Sequence, residues 1–199
     1  MTQDGPSPPG QRLVDRSVIE FIDAVGSATE PVPAGGSVAA LTAAGGAALL
    51  ALVCGVLRRH QPVALEAVLD AAQRLRQELL DLVDEDAAAF RAFLDATRAD
   101  QDLEAVTRRV GAVPLQIARA SLEIIELSYQ LDGQRTGSMA ADVRAARHLA
   151  NASLETALDI ANENLDMQPD EPARSALREV IGELQVERRR VSRQPHSDA

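Results

Sequence analysis

Residues 31–57, PVPAGGSVAALTAAGGAALLALVCGVL, pass from a proline-rich turn into an apolar run without a single charged side chain. Residues 38–57 meet the length at which a helix can cross a bilayer, and Arg58-Arg59 follows them. Much of the run is Ala and Gly, however, which contribute little transfer free energy, and every other helical segment of the chain carries charge. A helix at the centre of a soluble bundle is apolar all round for a different reason, because neighbours surround it, and Gly45-Gly46 would let another backbone approach closely. The run therefore predicts a buried central Ala/Gly-rich helix, with a single membrane span as the rival reading. Gly35 and Gly36 permit a tight turn and Ser37 is a good N-cap, so the helix is expected to start at Ser37. Its free N–H groups could hold an anion or an oxyanion, or the same residues could be no more than a turn and a cap.

Composition agrees with an all-α fold. Apolar residues make up 46% of the 199-residue chain and aromatic residues only 2%, so the core is built from Ala, Leu and Val, which suits closely packed helices. The length fits one domain. All 20 basic residues are Arg, which excludes a lysine Schiff base and a Walker-type phosphate loop. A net charge of −10, relieved only by the short run Arg188-Arg189-Arg190, disfavours nucleic acid as a partner. The lone Cys54 and the absence of a signal-like N-terminus lead us to expect a cytoplasmic protein.

The rest of the chain reads as helices. Ser17-Val18-Ile19-Glu20 has capping-box spacing, and Val14, Val18, Phe21 and Val25 follow at helical intervals. Leu65, Val68, Ala72, Leu75, Leu79 and Leu82 recur at alternating steps of three and four, the seam of an antiparallel bundle helix. A fourth segment, residues 103–131, contains Pro114, where a kink or break is expected. A fifth follows the Gly133 to Ser138 break, and a last one carries Leu177, Ile181 and Leu184. The expectation is an antiparallel bundle of about six helices over residues 12–191, with a disordered leader at 1–11 and a disordered tail at 192–199.

One residue breaks the pattern. Continuing the seam beyond Leu82 lands on Asp86, then Ala89 and Phe93. A carboxylate buried without a partner costs several kcal/mol. Catalysis would justify it, since a partly desolvated Asp is a general acid or base. The competing explanation is structural: the helix bends or ends there, and Asp86 pairs with an Arg or caps a neighbour. No metal is expected, because no His has Glu three residues before it, His60, His148 and His196 are isolated, and Glu155, Asp159 and Glu163 read as a solvated acidic ridge.

These pieces resemble a known family. The segment EPVPAGGSVAAL is similar to the Pro-x-Pro-Gly-Gly-Gly-Ser-Val-Ala-Ala-Leu segment of the formiminotransferase-cyclodeaminase family, in its cyclodeaminase or cyclohydrolase domain. LLDLVDEDAAAFRAFLDA, residues 79–96, resembles that family's Asp-x-x-Ala-Phe helix through Asp86 and Phe90, and AVPLQIA, residues 112–118, resembles its Val-Pro-Leu element. The resemblance implies a helical, self-associating domain, a homodimer or higher homo-oligomer, whose substrate is a tetrahydrofolate derivative. Members either release ammonia from a formimino group while closing the methenyl ring, or hydrolyse 5,10-methenyltetrahydrofolate to the 10-formyl form. It further implies Asp86 as the acid/base and Gly35, Gly36, Ser37, Thr136 and Ser138 as substrate contacts, with no metal, nucleic acid or membrane involved.

The departures bear on activity. Ala34 replaces the first Gly of the triple, and the family's Ser-Asp-Ala-Gly falls on Thr136-Gly137-Ser138-Met139, which puts Gly137 where the aspartate stands and leaves Asp142 as a possible substitute. The family's Asn-Val-x-Ile-Asn-Leu is set against Glu155-Thr156-Ala157-Leu158-Asp159-Ile160, with both amides missing. The expected function is thus a divergent folate cyclohydrolase or cyclodeaminase. The alternative is a non-catalytic helical module that keeps the fold.

Overall fold

The computed structural model describes residues 12–58, 62–132 and 136–193, and among them are six α-helices and no strand. The expected leader, His60, His196 and residues 194–199 lie outside the described residues. Helix α1 spans Val18–Val25, α2 Gly35–Leu57, α3 Pro62–Arg98, α4 Glu104–Gln130, α5 Ala140–Glu163 and α6 Glu171–Ser192. The expected tail boundary is therefore corrected at Ser192, which is the last residue of α6.

The Ala-rich run α2 packs mainly against α3 and α5, with α4 closing the bundle between them and α6 resting on α4 and α5. Ala39, Ala40, Ala43, Ala44 and Ala47 are buried along α2, and such short side chains let its neighbours come close. At Gly46 the approach is closest. A Cβ there would lie 3.0 Å from the Ala146 carbonyl oxygen of α5, so this glycine sets the α2–α5 spacing. The predicted α3 seam, from Leu65 to Leu82, is buried throughout, and its large side chains fill the space that the alanines leave. A buried chain of hydroxyls ties three helices together: Ser121 and Ser153 lie 2.9 Å apart, and Ser153 Oγ donates to the Ala39 carbonyl at 2.8 Å. Arg147 on α5 clamps the end of α4, donating to Ser128 and Asp132 while its guanidinium lies 3.8 Å from the Tyr129 ring centre.

Three expectations need correction. The central helix is not buried on all sides: Val38, Leu41, Gly45, Leu52 and Val56 form an exposed stripe, and Leu52 is 53% exposed. In α1 the capping box forms as read, but only Phe21 is buried, and Val18 is 79% exposed because α1 lies at the periphery. Pro114 does not break α4, which runs continuously through it. The bond lost at Pro114 frees the Val110 carbonyl, and Nδ2 of Asn164, the residue that caps α5, occupies it at 3.0 Å.

Candidate active site

Asp86 sits inside α3, which continues well past it, and its carboxylate meets the start of α2. The first turn of a helix leaves backbone N–H groups without partners, and an N-cap side chain normally meets one of them. Here the N-cap position is Ala34, which has no such side chain, and the helix begins at Gly35 rather than at the expected Ser37. Asp86 replaces the missing cap from the neighbouring helix. Ser37 Oγ lies 2.9 Å from Asp86 Oδ2 and 3.0 Å from the Val83 carbonyl, and the Ser37 backbone amide also bonds the carboxylate. Gly36 is required by this contact, since a Cβ at that position would overlap Asp86 Oδ1.

The structural explanation of Asp86 is thus half right: it caps a neighbour, but among the described residues no Arg pairs with it. Burial pushes its pKa above the ordinary 3.8, and the two Ser37 hydrogen bonds offset part of that rise. Capping alone does not use the whole carboxylate. Asp86 also lines a cavity of roughly 170 Å³ with Gly35 and Gly36 of α2, Phe90 of α3, Val110 and Val113 of α4, Ile160 of α5 and Asn164, the C-cap of α5. Apolar walls, one carboxylate, one amide and a helix N-terminus converge on one space, which is sized for the ring of a ligand rather than a long molecule.

Residues 17–183 match the family model described as formiminotransferase-cyclodeaminase. The chain belongs to that family. It is 28% identical over 159 residues to the methenyltetrahydrofolate cyclohydrolase of Methylorubrum extorquens, covering 72% of this chain and 76% of that protein. It is 35% identical over 127 residues to the formimidoyltransferase-cyclodeaminase of Sus scrofa, covering 55% of this chain but only 23% of that longer protein. A crystal structure of formiminotetrahydrofolate cyclodeaminase from Thermotoga maritima superposes with a TM-score of 0.81 at 24% identity, covering 89% of this chain and 93% of the other, and shares its fold.

Within this formiminotransferase-cyclodeaminase domain the tertiary structure joins Gly35, Gly36, Ser37 and Asp86, four of the residues singled out from the sequence. Thr136 and Ser138 are not joined to them. They lie at the turn before α5, Gly137–Met139, whereas the cavity takes Ile160 and Asn164 from the far end of α5, roughly 30 Å away at about 1.5 Å per residue. Asp142, in the first turn of α5, is equally distant and does not stand in for the missing aspartate.

The residues set against the family's two asparagines do not reach the cavity. Glu155 and Asp159 are exposed, and Glu155 pairs with Arg188 on α6, as the ridge reading requires. The cavity instead takes Ile160, in the last turn of α5, and Asn164, the residue that caps the helix. Asn164 was not singled out from the sequence, where an Asn at a helix end reads as a cap. Among the described residues no cluster of three or more His, Cys, Asp or Glu side chains could hold a metal.

Proposed function

We propose that this domain acts on the one-carbon unit of a reduced folate, and that its reaction is hydrolysis of a 5,10-methenyl group to the 10-formyl form. The observation that carries this reading is the Asp86 carboxylate, held by Ser37 at the wall of an otherwise apolar cavity. Of the two curated relatives compared, the one that this chain covers over most of its length, 76%, is a cyclohydrolase. The methenyl carbon carries positive charge shared between two nitrogens, and a carboxylate in a weakly solvated site stabilises such a cation more strongly than one in water. Water adds to that carbon as Asp86 accepts its proton, giving a neutral tetrahedral adduct. Asp86 then returns the proton to N5 as the bond from the carbon to N5 breaks. The adduct hydroxyl loses its own proton to solvent, leaving a formyl group on N10. A carboxyl whose pKa is raised by burial suits both transfers better than an exposed one.

The test is loss of the methenyl chromophore in the presence of purified protein, compared with buffer alone. Hydrolysis above the spontaneous rate is expected. A rate equal to buffer, together with no ammonia release from 5-formiminotetrahydrofolate, would leave a non-catalytic helical module. Ammonia release alone would select the cyclodeaminase reading.

The exposed apolar stripe of α2 supports self-association in the cytoplasm, with a second copy of the chain covering Val38, Leu41, Leu52 and Val56. Because α2 and α5 run antiparallel, a two-fold pairing of α2 with its copy would set the Thr136 and Ser138 end of one chain beside the Asp86 end of the other. Light scattering is expected to give at least a dimer, and a monomer at micromolar concentration would exclude this arrangement.

A further inference from the structure

Asn164 is only 6% exposed, yet it lines the cavity. Its Nδ2 is committed to the Val110 carbonyl at 3.0 Å, the acceptor that Pro114 leaves without its helical N–H. This bond fixes the plane of the amide. Among the described residues nothing donates to Asn164 Oδ1, and that oxygen is not among the buried polar atoms sealed off without a partner. It is therefore an acceptor left open in a side chain that is otherwise packed and tethered. The backbone of Asn164 is just as firmly held: its N–H donates to the Ile160 carbonyl at 3.0 Å, and its own carbonyl accepts from Gln168 Nε2 at 3.1 Å. Gln168 reaches that position because Gly111 has no Cβ, which would lie 2.7 Å from Nε2.

We propose that Asn164 is a substrate-binding residue whose Oδ1 accepts a hydrogen bond from a ring N–H of the ligand, with Pro114 as the positioning residue that orients it. The site accordingly selects a flat nitrogen heterocycle that presents an N–H donor, set between Phe90 and the aliphatic side chains of Val110, Val113 and Ile160. A helical proline usually leaves its freed carbonyl to water or to a local adjustment. Here the freed carbonyl takes the donor half of an amide and leaves the acceptor half to the cavity. A group that must receive an N–H is better held this way than by a rotating hydroxyl, because an amide tethered through its nitrogen offers only oxygen to the ligand. The proposal rests on the cavity being the folate site, since a reduced pteridine carries the required ring N–H.

The experiment measures binding of 5-formyltetrahydrofolate, a stable folate probe, by titration calorimetry alongside KM and kcat for the methenyl substrate. Asn164→Leu removes the acceptor but also strands the Val110 carbonyl, which could unfold the protein for an unrelated reason. The double variant Pro114→Ala/Asn164→Leu avoids this, because the restored backbone N–H of residue 114 returns to Val110 while the cavity acceptor stays absent. In the double variant, probe affinity is expected to fall about ten- to a hundredfold, with KM rising in parallel and kcat changing less than threefold, since the bond is made equally in ground and transition states. Affinity and KM within twofold of wild type in the folded double variant would overturn the role of Asn164 while leaving the folate reading intact. Absence of both probe binding and turnover in the wild type would overturn the folate reading and this assignment together.

Discussion

Asp86→Asn leaves a folded protein that has lost about 10²- to 10⁴-fold of its turnover, the range for removing a general acid/base. The substitution keeps the shape of the side chain and an oxygen that can still accept from Ser37, so the cap on α2 survives. It also removes a charge that the folded state holds at a cost. Because the Asp86 pKa is raised above its ordinary 3.8, the folded chain binds its proton more tightly than the unfolded chain does. Stability therefore falls as pH rises from about the unfolded pKa through the folded one, and below that window the carboxyl imposes no charge penalty. The asparagine variant is accordingly expected to melt at least as high as wild type at pH 7, by about 2–4 °C for each kcal/mol of charge burial relieved. Its advantage should disappear in mildly acidic buffer. Melting curves at the two pH values check this, with Asp86→Ala as the control that loses the cap and melts lower. Full turnover in a folded Asp86→Asn protein would remove Asp86 from the chemistry and leave it as a cap alone.

Gly36→Ala is expected to lower turnover about a hundredfold while changing stability far less. The added methyl overlaps Asp86 Oδ1 and lies 2.7 Å from Oδ2, closer than real Cβ contacts allow, so the carboxylate or the first turn of α2 must move. The hydrogen bonds from Ser37 hold the carboxylate from one side and α3 fixes it from behind, which leaves displacement within the cavity as the available relief. A shift of about 1 Å in a reacting group can cost about 10²-fold in rate. Overpacking of this kind costs typically about 1–3 kcal/mol, and the better helix propensity of Ala returns about 1 kcal/mol of it. Gly182→Ala on α6 is the matched control, since a Cβ there meets nothing within 4 Å, and its turnover should equal wild type. Equal turnover in the Gly36 and Gly182 variants would show that the position of Asp86 is not critical.

Much of the architecture was legible because helical bundles write their packing as periodicity. The α3 seam from Leu65 to Leu82 could be followed residue by residue, and the same rhythm exposed Asp86 as the member that does not belong. The Gly-Gly-Ser turn was legible as a helix start. Its first residue was misplaced, because a local rule assigns Ser37 to its own backbone whereas the structure points its hydroxyl at another helix. Pro114 was read as a defect by the same local logic. The donor that compensates it comes from a residue fifty positions later, at the C-terminal end of α5.

The periodic spacing of apolar side chains and the shortage of aromatic residues were sufficient for the all-helical fold, the Ala/Gly-rich central helix and the suspicion that falls on Asp86, because burial of a helix face depends on the identity of residues three and four apart. The composition of the site was a tertiary matter. Asp86 stands in for a missing N-cap only because α3 passes the start of α2. Asn164 faces the cavity, and Glu155 faces solvent, because of the rotational phase in which α5 packs on α2 and α4. That phase is set by contacts such as Gly46 against the Ala146 carbonyl, between residues a hundred positions apart, and local spacing carries no information about them.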